Sequence, residues 1–270
     1  GDESSKQKLY NLVKSLSHKN GERPCILADL AGPKIRITDV VPDLVLESGQ
    51  LISITNEKGA DKSHIRVTEG VGFADINKGD TILINDGRIQ LEVIDAISEN
   101  TIKCQTKIGG LVEPRKGVNF PGITLNVPPL TDQDSVDLKM ALKEGADWIA
   151  LSFVRSANDV KEVHAIMDEA GKRLPVMAKI EKWEALNNVE SIAESFDGIM
   201  VARGDLGVEI PAEQVPIAQK QMIDVSRSIG KPIAIATQVL ESMTDNLTPT
   251  RAEVSDIANA VFDGVDALMV

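Results

Sequence analysis

The sequence is short of aromatic residues, cysteines and positive charge, and each shortage limits what the protein can be. Aromatic residues make up 3% of the 270-residue chain and hydrophobic residues 42%, so aliphatic side chains have to fill the core. The net charge of −12 repels phosphate, which argues against nucleic acids and acidic membranes as partners. A phosphorylated ligand would therefore need a local basic cluster or a metal ion to hold it.

The two cysteines, Cys25 and Cys104, lie far apart in the sequence and match no zinc-binding spacing. So few thiols are typical of a reducing compartment, and we expect a cytoplasmic protein. No apolar run approaches the length of a membrane span. The sequence begins abruptly at Gly1 and ends inside an apolar strand, 266–270, so we expect a fragment of a longer chain.

Short apolar runs alternate with helical periodicity over most of the chain, which predicts parallel strands covered by helices. The strands are predicted at 25–30, 148–153, 175–180, 198–202, 232–237 and 265–270. Capping boxes begin helices at Thr131, Ser156 and Thr250, and glycines end them. Further helices are predicted at about 182–194 and 212–229.

The pattern changes between Thr38 and about Gly117, where short alternating strands replace helical periodicity. Turn signals such as Asn85-Asp86-Gly87 separate these strands. We therefore predict a small, mostly antiparallel β domain inserted after the first parallel strand. The predicted division is 1–37 for the first part of a barrel, 38–117 for the inserted domain and 118–270 for the rest of the barrel.

Polar residues end one predicted parallel strand after another. They are Asp29, Ser152, Lys179, Arg203 and the pair Thr237-Gln238. Contributions from many strands to one rim are typical of a barrel, whereas an open doubly wound sheet binds its ligand at a single switch point. We predict an α/β fold, a partial (β/α)8 TIM barrel with an inserted small antiparallel β-barrel domain. Its six strands are two short of eight, and we expect the missing pair to precede Gly1.

Two consecutive predicted strands end in charged residues that suit metal chemistry. Lys179 and Glu181 close the strand at 175–180, and Asp205 follows the strand at 198–202. Both strand ends lie on one rim, where Glu181 and Asp205 would share a hard cation such as Mg²⁺, with Lys179 beside it. Taken singly, each residue also fits a solvated loop.

Six motifs in chain order resemble pyruvate kinase. They are Asp29–Arg36, Lys116–Gly122, Ala178–Glu181, Val201–Glu209, Ala236–Met243 and Thr250–Asp256. The resemblance implies a glycolytic phosphotransferase that moves a phosphoryl group from phosphoenolpyruvate to ADP, giving pyruvate and ATP. It also implies that the inserted domain is a lid, and that two barrel strands and a C-terminal allosteric domain lie outside this chain.

The resemblance implies roles for the residues at the rim. Glu181 and Asp205 hold Mg²⁺ or Mn²⁺, and Lys179 faces the transferring group. The backbone N–H groups of Gly204 and Asp205 receive the substrate carboxylate. Thr237 binds that carboxylate as well and orders the water that protonates the enolate.

Nucleotide contacts follow from the same resemblance. Arg36 and Lys116 would touch the nucleotide phosphates, Lys116 from the hinge at which the lid returns. Asp86 lies in the Asn-Asp-Gly turn, and a plain hairpin turn explains it better than a functional role. The helix that starts at Thr250 belongs, by similarity, to the subunit interface of a tetramer, so we expect a homo-oligomer.

The chain departs from most of the family near its first strand. Leu30, Ala31 and Lys34 stand where Thr, Lys and Glu are usual, and Ile37 replaces a polar residue. The form that carries Glu resembles potassium-dependent enzymes, and the resemblance implies a monovalent cation site at Asp29. Because Lys34 places a fixed positive charge near that site, we expect a parent enzyme that does not require potassium.

Two other functions stay open at this stage. A Mg²⁺-dependent pyruvate-enolate lyase or aldolase would share the barrel and the carboxylate pair, but it would have no use for a lid or for Lys116. A folded fragment without catalysis would act as a binding module or scaffold. We expect the fragment alone to have little or no activity and to self-associate through its open sheet edges.

Overall fold

The structure, a computed structural model, describes residues 3–16, 21–58 and 64–270. The helices in these ranges are α1 (Glu3–Ser15), α2 (Asp132–Glu144), α3 (Val160–Glu169), α4 (Trp183–Asn187), α5 (Val189–Ser195), α6 (Arg203–Glu209), α7 (Val215–Ser228) and α8 (Arg251–Asp263). Within the described ranges, no helix combines the length and apolar character needed to cross a bilayer.

The strands are β1 (Leu27–Leu30), β2 (Ile37–Asp39), β3 (Val45–Leu46), β4 (Leu51–Thr55), β5 (His64–Val67), β6 (Thr81–Ile84), β7 (Ile89–Ser98), β8 (Thr101–Ile108), β9 (Gly110–Leu111), β10 (Val118–Asn119), β11 (Trp148–Leu151), β12 (Val176–Ile180), β13 (Gly198–Ala202), β14 (Ile233–Ala236) and β15 (Ala267–Met269). They form two main sheets and a short pair of strands, β3 with β9.

The first sheet contains the six predicted parallel strands in the order β1-β11-β12-β13-β14-β15. Every neighbouring pair in it is parallel. Five strands are one to three residues shorter in total than the sequence predicts, and β13 matches its predicted bounds. The prediction of an α/β fold with part of a (β/α)8 barrel is confirmed.

Local signals account for the boundaries of α2 and α8 and for the start of the 3₁₀ turn that leads into α3. The capping boxes at Thr131, Ser156 and Thr250 are all formed, and Gly145 and Gly264 end α2 and α8 with left-handed φ angles of 76° and 98°. These caps are confirmed because each one depends on residues within a single turn.

The single helix predicted at 182–194 is wrong, because two helices, α4 and α5, cover this segment. The helical path breaks at Asn188, which has φ −112° and ψ 11°. The side-chain amide of Asn188 donates to the carbonyl oxygens of Arg155 and Glu184. The helix predicted at 212–229 begins as a 3₁₀ turn, and α7 starts only at Val215.

The second sheet is a seven-stranded, nearly closed barrel in the order β10-β6-β7-β8-β4-β5-β2. Its pairs are antiparallel except β4 with β5, which is parallel. Side chains alternate between core and surface along each strand, as in β7, where Ile89, Leu91 and Val93 are buried. Its core is separate from that of the parallel sheet.

The chain enters and leaves this β domain at one junction. Arg36 and Gly117 form an antiparallel bridge. On either side of it, Ile37 N–H donates to the Lys116 carbonyl and Val118 N–H to the Ile35 carbonyl, both at 2.9 Å. Residues far apart in the sequence therefore meet beside the rim of the parallel sheet.

Candidate functional site

The structure places Glu181 and Asp205 at the same edge of the parallel sheet. Strands β12 and β13 are neighbours in parallel register, with Lys179 opposite Met200 and Ile180 opposite Val201. Glu181 follows β12 directly, and Asp205 lies in the first turn of α6, which follows β13. The carboxylates are close enough for the charge of Asp205 to contribute to the raised pKa of Glu181.

Glu181 is a buried carboxylate, with 3% of its surface exposed. Its Oε2 accepts the backbone N–H of Phe153 at 2.7 Å, and its Oε1 lies 3.2 Å from Lys179 Nζ. Burial raises the pKa of Glu181, and the contacts with Lys179 and Phe153 partly oppose that shift. A divalent cation placed here would also favour the charged form of Glu181 and would oppose the effect of burial.

The ammonium group of Lys179 contacts three oxygen-bearing side chains on the rim. Its Nζ lies 2.7 Å from Ser152 Oγ, 3.1 Å from Asp29 Oδ1 and 3.2 Å from Glu181 Oε1. Burial alone would lower the pKa of Lys179, but the carboxylates of Glu181 and Asp29 together raise it. Lys179 therefore stays positively charged at neutral pH.

Asp205 forms an ion pair with Lys34. Lys34 Nζ lies 2.6 Å from Asp205 Oδ1 and 5.9 Å from the centre of the Phe153 ring. Gly204, next to Asp205, donates its N–H to Thr237 Oγ1 at 2.8 Å. Lys34, Asp205 and Thr237 thus meet although they follow three different strands.

Two residues at this rim have left-handed backbone conformations, which are unfavourable for residues with bulky or β-branched side chains. Phe153 has φ 56° and Thr237 has φ 66°. The Phe153 conformation allows its N–H to reach Glu181, and Gly32 packs against it so closely that a Cβ there would lie 2.8 Å from Phe153 Cδ2. Arg203 holds the Thr237 conformation by donating to its carbonyl oxygen at 3.0 Å.

A cleft of about 560 Å³ opens between this rim and the β domain. Lys34, Gly204, Asp205 and Thr237 line it on the barrel side, and Asp86 lines it on the other. Asp86 has φ 55° and lies in the hairpin turn between β6 and β7, as its sequence predicts. The sequence favoured a plain hairpin turn over an approach of Asp86 to the site, and the structure shows the hairpin turn with Asp86 in the lining of the cleft.

The predicted nucleotide-binding residues lie at the junction, outside the lining of this cleft. The Arg36 guanidinium donates to the Arg115 carbonyl at 3.0 Å, and Lys116 Nζ lies 3.5 Å from Glu113 Oε2. Lys179 and Glu181 also lie outside the lining, but they contact each other, and the charge of Asp205 acts on Glu181. No such contact connects Arg36 or Lys116 to these residues within the part of the chain that the structure describes.

The donor set of the rim suits a hard cation that takes only part of its ligands from protein. Within residues 3–16, 21–58 and 64–270, no three His, Cys, Asp or Glu side chains converge as metal ligands. Glu181 and Asp205 offer carboxylate oxygens, which Mg²⁺ prefers, and Mg²⁺ usually completes its shell with water and substrate oxygens. The two carboxylates therefore fit such an ion.

The fold and the rim together place this chain in a class of proteins. These are α/β barrels that carry a lysine and two carboxylates at the carboxyl ends of adjacent strands. Compared with known families, residues 1–270 match the pyruvate kinase barrel domain. The chain therefore belongs to the pyruvate kinase family.

Individual relatives agree with this assignment over the whole chain. The pyruvate kinase of Corynebacterium efficiens is 48% identical over 273 residues, which cover 100% of this chain and 57% of the relative. Those of Mycobacterium tuberculosis and Thermotoga maritima are each 44% identical, again over 100% of this chain and over 57% and 58% of their own lengths. The chain thus spans somewhat more than half the length of these relatives.

Proposed function

We propose that this chain carries the catalytic centre of an enzyme that transfers the phosphoryl group of phosphoenolpyruvate to ADP, giving pyruvate and ATP. The observation that carries the proposal is the meeting of Lys179, Glu181, Asp205 and Thr237 on one rim in a chain of this family. Phosphoryl transfer depends mainly on positioning and on neutralising charge, and this rim offers both.

Glu181 and Asp205 would hold Mg²⁺ or Mn²⁺, which when bound neutralises the carboxylate and enolate oxygens of the substrate. Lys179, kept protonated by its neighbours, faces the group in transfer and stabilises the negative charge that develops on the enolate oxygen. The bond between phosphorus and the enol oxygen breaks as a terminal oxygen of ADP bonds to phosphorus.

The substrate carboxylate binds at the backbone N–H groups of Gly204 and Asp205 and at the Thr237 hydroxyl. Thr237 also orders the water that delivers a proton to the enolate carbon, which completes pyruvate. Arg36 and Lys116 bind the nucleotide phosphates from the junction, and this role requires both side chains to swing toward the cleft from their present partners.

Potassium independence forms part of the proposal. The Lys34 ammonium group lies 2.6 Å from Asp205 Oδ1, whereas Asp29, the carboxylate of the suggested monovalent cation site, contacts Lys179 Nζ at 3.1 Å. Lys34 supplies a fixed positive charge at the rim without an added ion. Turnover in sodium and in potassium buffers should be equal, and Lys34→Glu should create a potassium requirement. A large rise in turnover of the unmodified enzyme on adding potassium would refute this point.

The proposal also covers the domain organisation, the cellular location and the oligomeric state. We propose that 38–117 acts as a lid between barrel segments 1–37 and 118–270, and that the enzyme is a cytoplasmic homo-oligomer. The two cysteines support the location, and the exposed apolar side chains of α8, Phe262 and Val254 among them, support the oligomer. Sedimentation velocity would report the oligomeric state.

Calorimetric titration tests the proposed function directly. Oxalate, a stand-in for the pyruvate enolate, is titrated into the protein with Mg²⁺, and Glu181→Gln should weaken its binding about 100-fold or more. Glu144→Gln is the matched control, since Glu144 is also a buried carboxylate but accepts from Gln7 on α1. Equal binding by the Glu181 variant and the unmodified protein would refute the proposal.

The effect of a nucleotide on the protein distinguishes the proposed kinase from an enolate lyase or aldolase. ADP should protect the 38–117 segment from proteolysis, because a nucleotide is the second substrate only in the kinase. Binding of oxalate without any protection by ADP would favour the lyase.

A further inference from the structure

One buried carboxylate connects three separate parts of the site. The Glu209 side chain, at the end of α6, is completely buried. Its Oε1 accepts hydrogen bonds from Lys182 Nζ at 2.8 Å and from Asn119 Nδ2 at 3.2 Å. Lys182 directly follows Glu181, and Asn119 lies in β10 beside the junction. Glu209 thus joins α6, the end of β12 and the strand by which the chain leaves the β domain.

On the β-domain side, this connection reaches the turn that lines the cleft. Asn119 pairs with Leu83 of β6, and β6 leads into the turn that contains Asp86. At the start of that turn, Asn85 N–H donates to the Gly117 carbonyl at 3.0 Å. The Asp86 turn and Asn119 are therefore connected by a continuous set of backbone hydrogen bonds.

On the barrel side, the connection reaches the metal and substrate groups through a short helix. Helix α6 has seven residues, with Gly204 and Asp205 in its first turn and Glu209 at its last position. Because an α-helix rises 1.5 Å per residue, roughly 6 Å separate Asp205 from Glu209 along the axis. A pull on Glu209 therefore moves or holds Asp205.

The chemistry of this contact favours a geometric role over a stabilising one. Glu209 Oε2 has no hydrogen-bond partner among the residues that the structure describes, and burial raises the pKa of Glu209. The nearby carboxylate of Glu184 raises it further. A well-packed apolar side chain often stabilises a buried position as well as a charged pair does, so this pair is weak evidence for stability, whereas its hydrogen bonds fix the direction of the contact.

We propose that Glu209 is a positioning residue that couples the β domain to Gly204 and Asp205 through Asn119. The coupling makes a nucleotide held at the β domain and an enolate-like ligand held at the barrel rim strengthen each other's binding. This inference rests on the proposed function, and it assigns Asn119 and Glu209 a part in the cooperation between the two substrates.

The test measures oxalate binding by calorimetry, with Mg²⁺ present, in the absence and presence of ADP. In the unmodified protein, ADP should lower the Kd of oxalate by about fivefold or more. In Asn119→Ala, which keeps the contact of Glu209 with Lys182, the effect of ADP should fall below about twofold while the Kd without ADP stays within about twofold. A purely structural role would move both Kd values together.

Two further variants make the result decisive. Asn119→Leu fills the same space without a donor, and it should lose the ADP effect even if the alanine variant does not fold. Asn77→Ala removes an exposed amide of the β domain that donates only to the Asp75 carbonyl, and it should keep the full ADP effect.

The possible failures are distinguishable. Asn119 variants that keep the full ADP effect would overturn the inference, and so would an unmodified protein on which ADP has no effect. An unmodified protein that binds no oxalate would instead overturn the proposed function.

Discussion

The β domain and the parallel barrel differ in the types of residue that adopt left-handed backbone conformations. Outside glycine, the described residues with positive φ are Asp43, Asn85, Asp86 and Arg115 in or beside the β domain, and Phe153, Thr237, Gln238 and Leu240 in the barrel. Asn and Asp adopt this conformation readily in turns, whereas Phe, Thr and Leu do not. Phe153 follows β11 and donates its N–H to Glu181, and Thr237 follows β14 and accepts the N–H of Gly204.

Buried charged residues are also distributed unequally between the barrel and the β domain. The buried acidic and basic residues of the described chain are Asp134, Glu144, Asp159, Glu181, Glu184, Arg203 and Glu209. All of them lie in the barrel, and the buried polar residues of the β domain are uncharged. Strain and buried charge persist only where the surrounding structure enforces them, and they are concentrated at functional sites. The comparison therefore favours the barrel as the location of the chemistry proposed above.

The largest expected effect tests this division with a pair of lysine variants. In the enzyme that contains this chain, Lys179→Met should lower kcat by about 1,000-fold, because it removes the charge that stabilises the developing enolate. Lys107→Met in the β domain, which removes an exposed lysine paired with Glu92, should change kcat by less than about twofold. Initial rates of pyruvate formation measure both, and comparable losses in the two variants would break the comparison.

An intermediate effect compares two glycines with similar backbone angles. Gly32 has φ 72°, and an added Cβ would lie 2.8 Å from Phe153 Cδ2. Gly87 has φ 82°, with no atom within 4 Å of an added Cβ. Gly87→Ala should lower the free energy of unfolding by about 1 kcal/mol from backbone strain alone. Gly32→Ala should lower it by about 3 kcal/mol, because steric overlap adds to the strain.

Urea denaturation followed by circular dichroism measures both glycine variants. Equal losses in the two would mean that the contact of Gly32 with Phe153 is loose, and the rim would then be no more constrained than a surface turn.

The smallest effect concerns pH. Hydrogen bonds from Ser242 and Thr250 lower the pKa of Glu253 to about 2, from 4.5. Because the folded-state pKa is the lower one, the contact stabilises the barrel above pH 4.5, and this stabilisation is lost as pH falls toward about 2. Glu253→Gln should therefore lower Tm at pH 7 and have progressively less effect from pH 4.5 down to about 2.

Glu92→Gln in the β domain is the control for this pH dependence. Its exposed pair with Lys107 contributes little to stability, so Tm should hardly change at neutral pH. A Glu253 variant whose effect on Tm is the same at pH 2 and pH 7 would contradict the assignment.

Sequence patterns predicted the parallel strands and the three capping boxes, because each depends on neighbours within a few residues. They also predicted that Glu181 and Asp205 lie on one rim, since consecutive parallel strands end at the same edge. The patterns missed the break at Asn188, because its amide bonds the Arg155 carbonyl, 33 residues away in sequence. They also missed the strained conformation of Phe153, since Phe is not a residue that signals a turn.

The sequence by itself determined the six parallel strands, the inserted β domain and which charged residues follow which strand, since local periodicity and strand direction settle all three. Only the tertiary structure decided which charges meet. Lys34 reaches Asp205 across 171 positions, and Asn119 reaches Glu209 across 90. The physical reason is that such contacts depend on how segments distant in sequence are oriented in space, and no local pattern encodes that orientation.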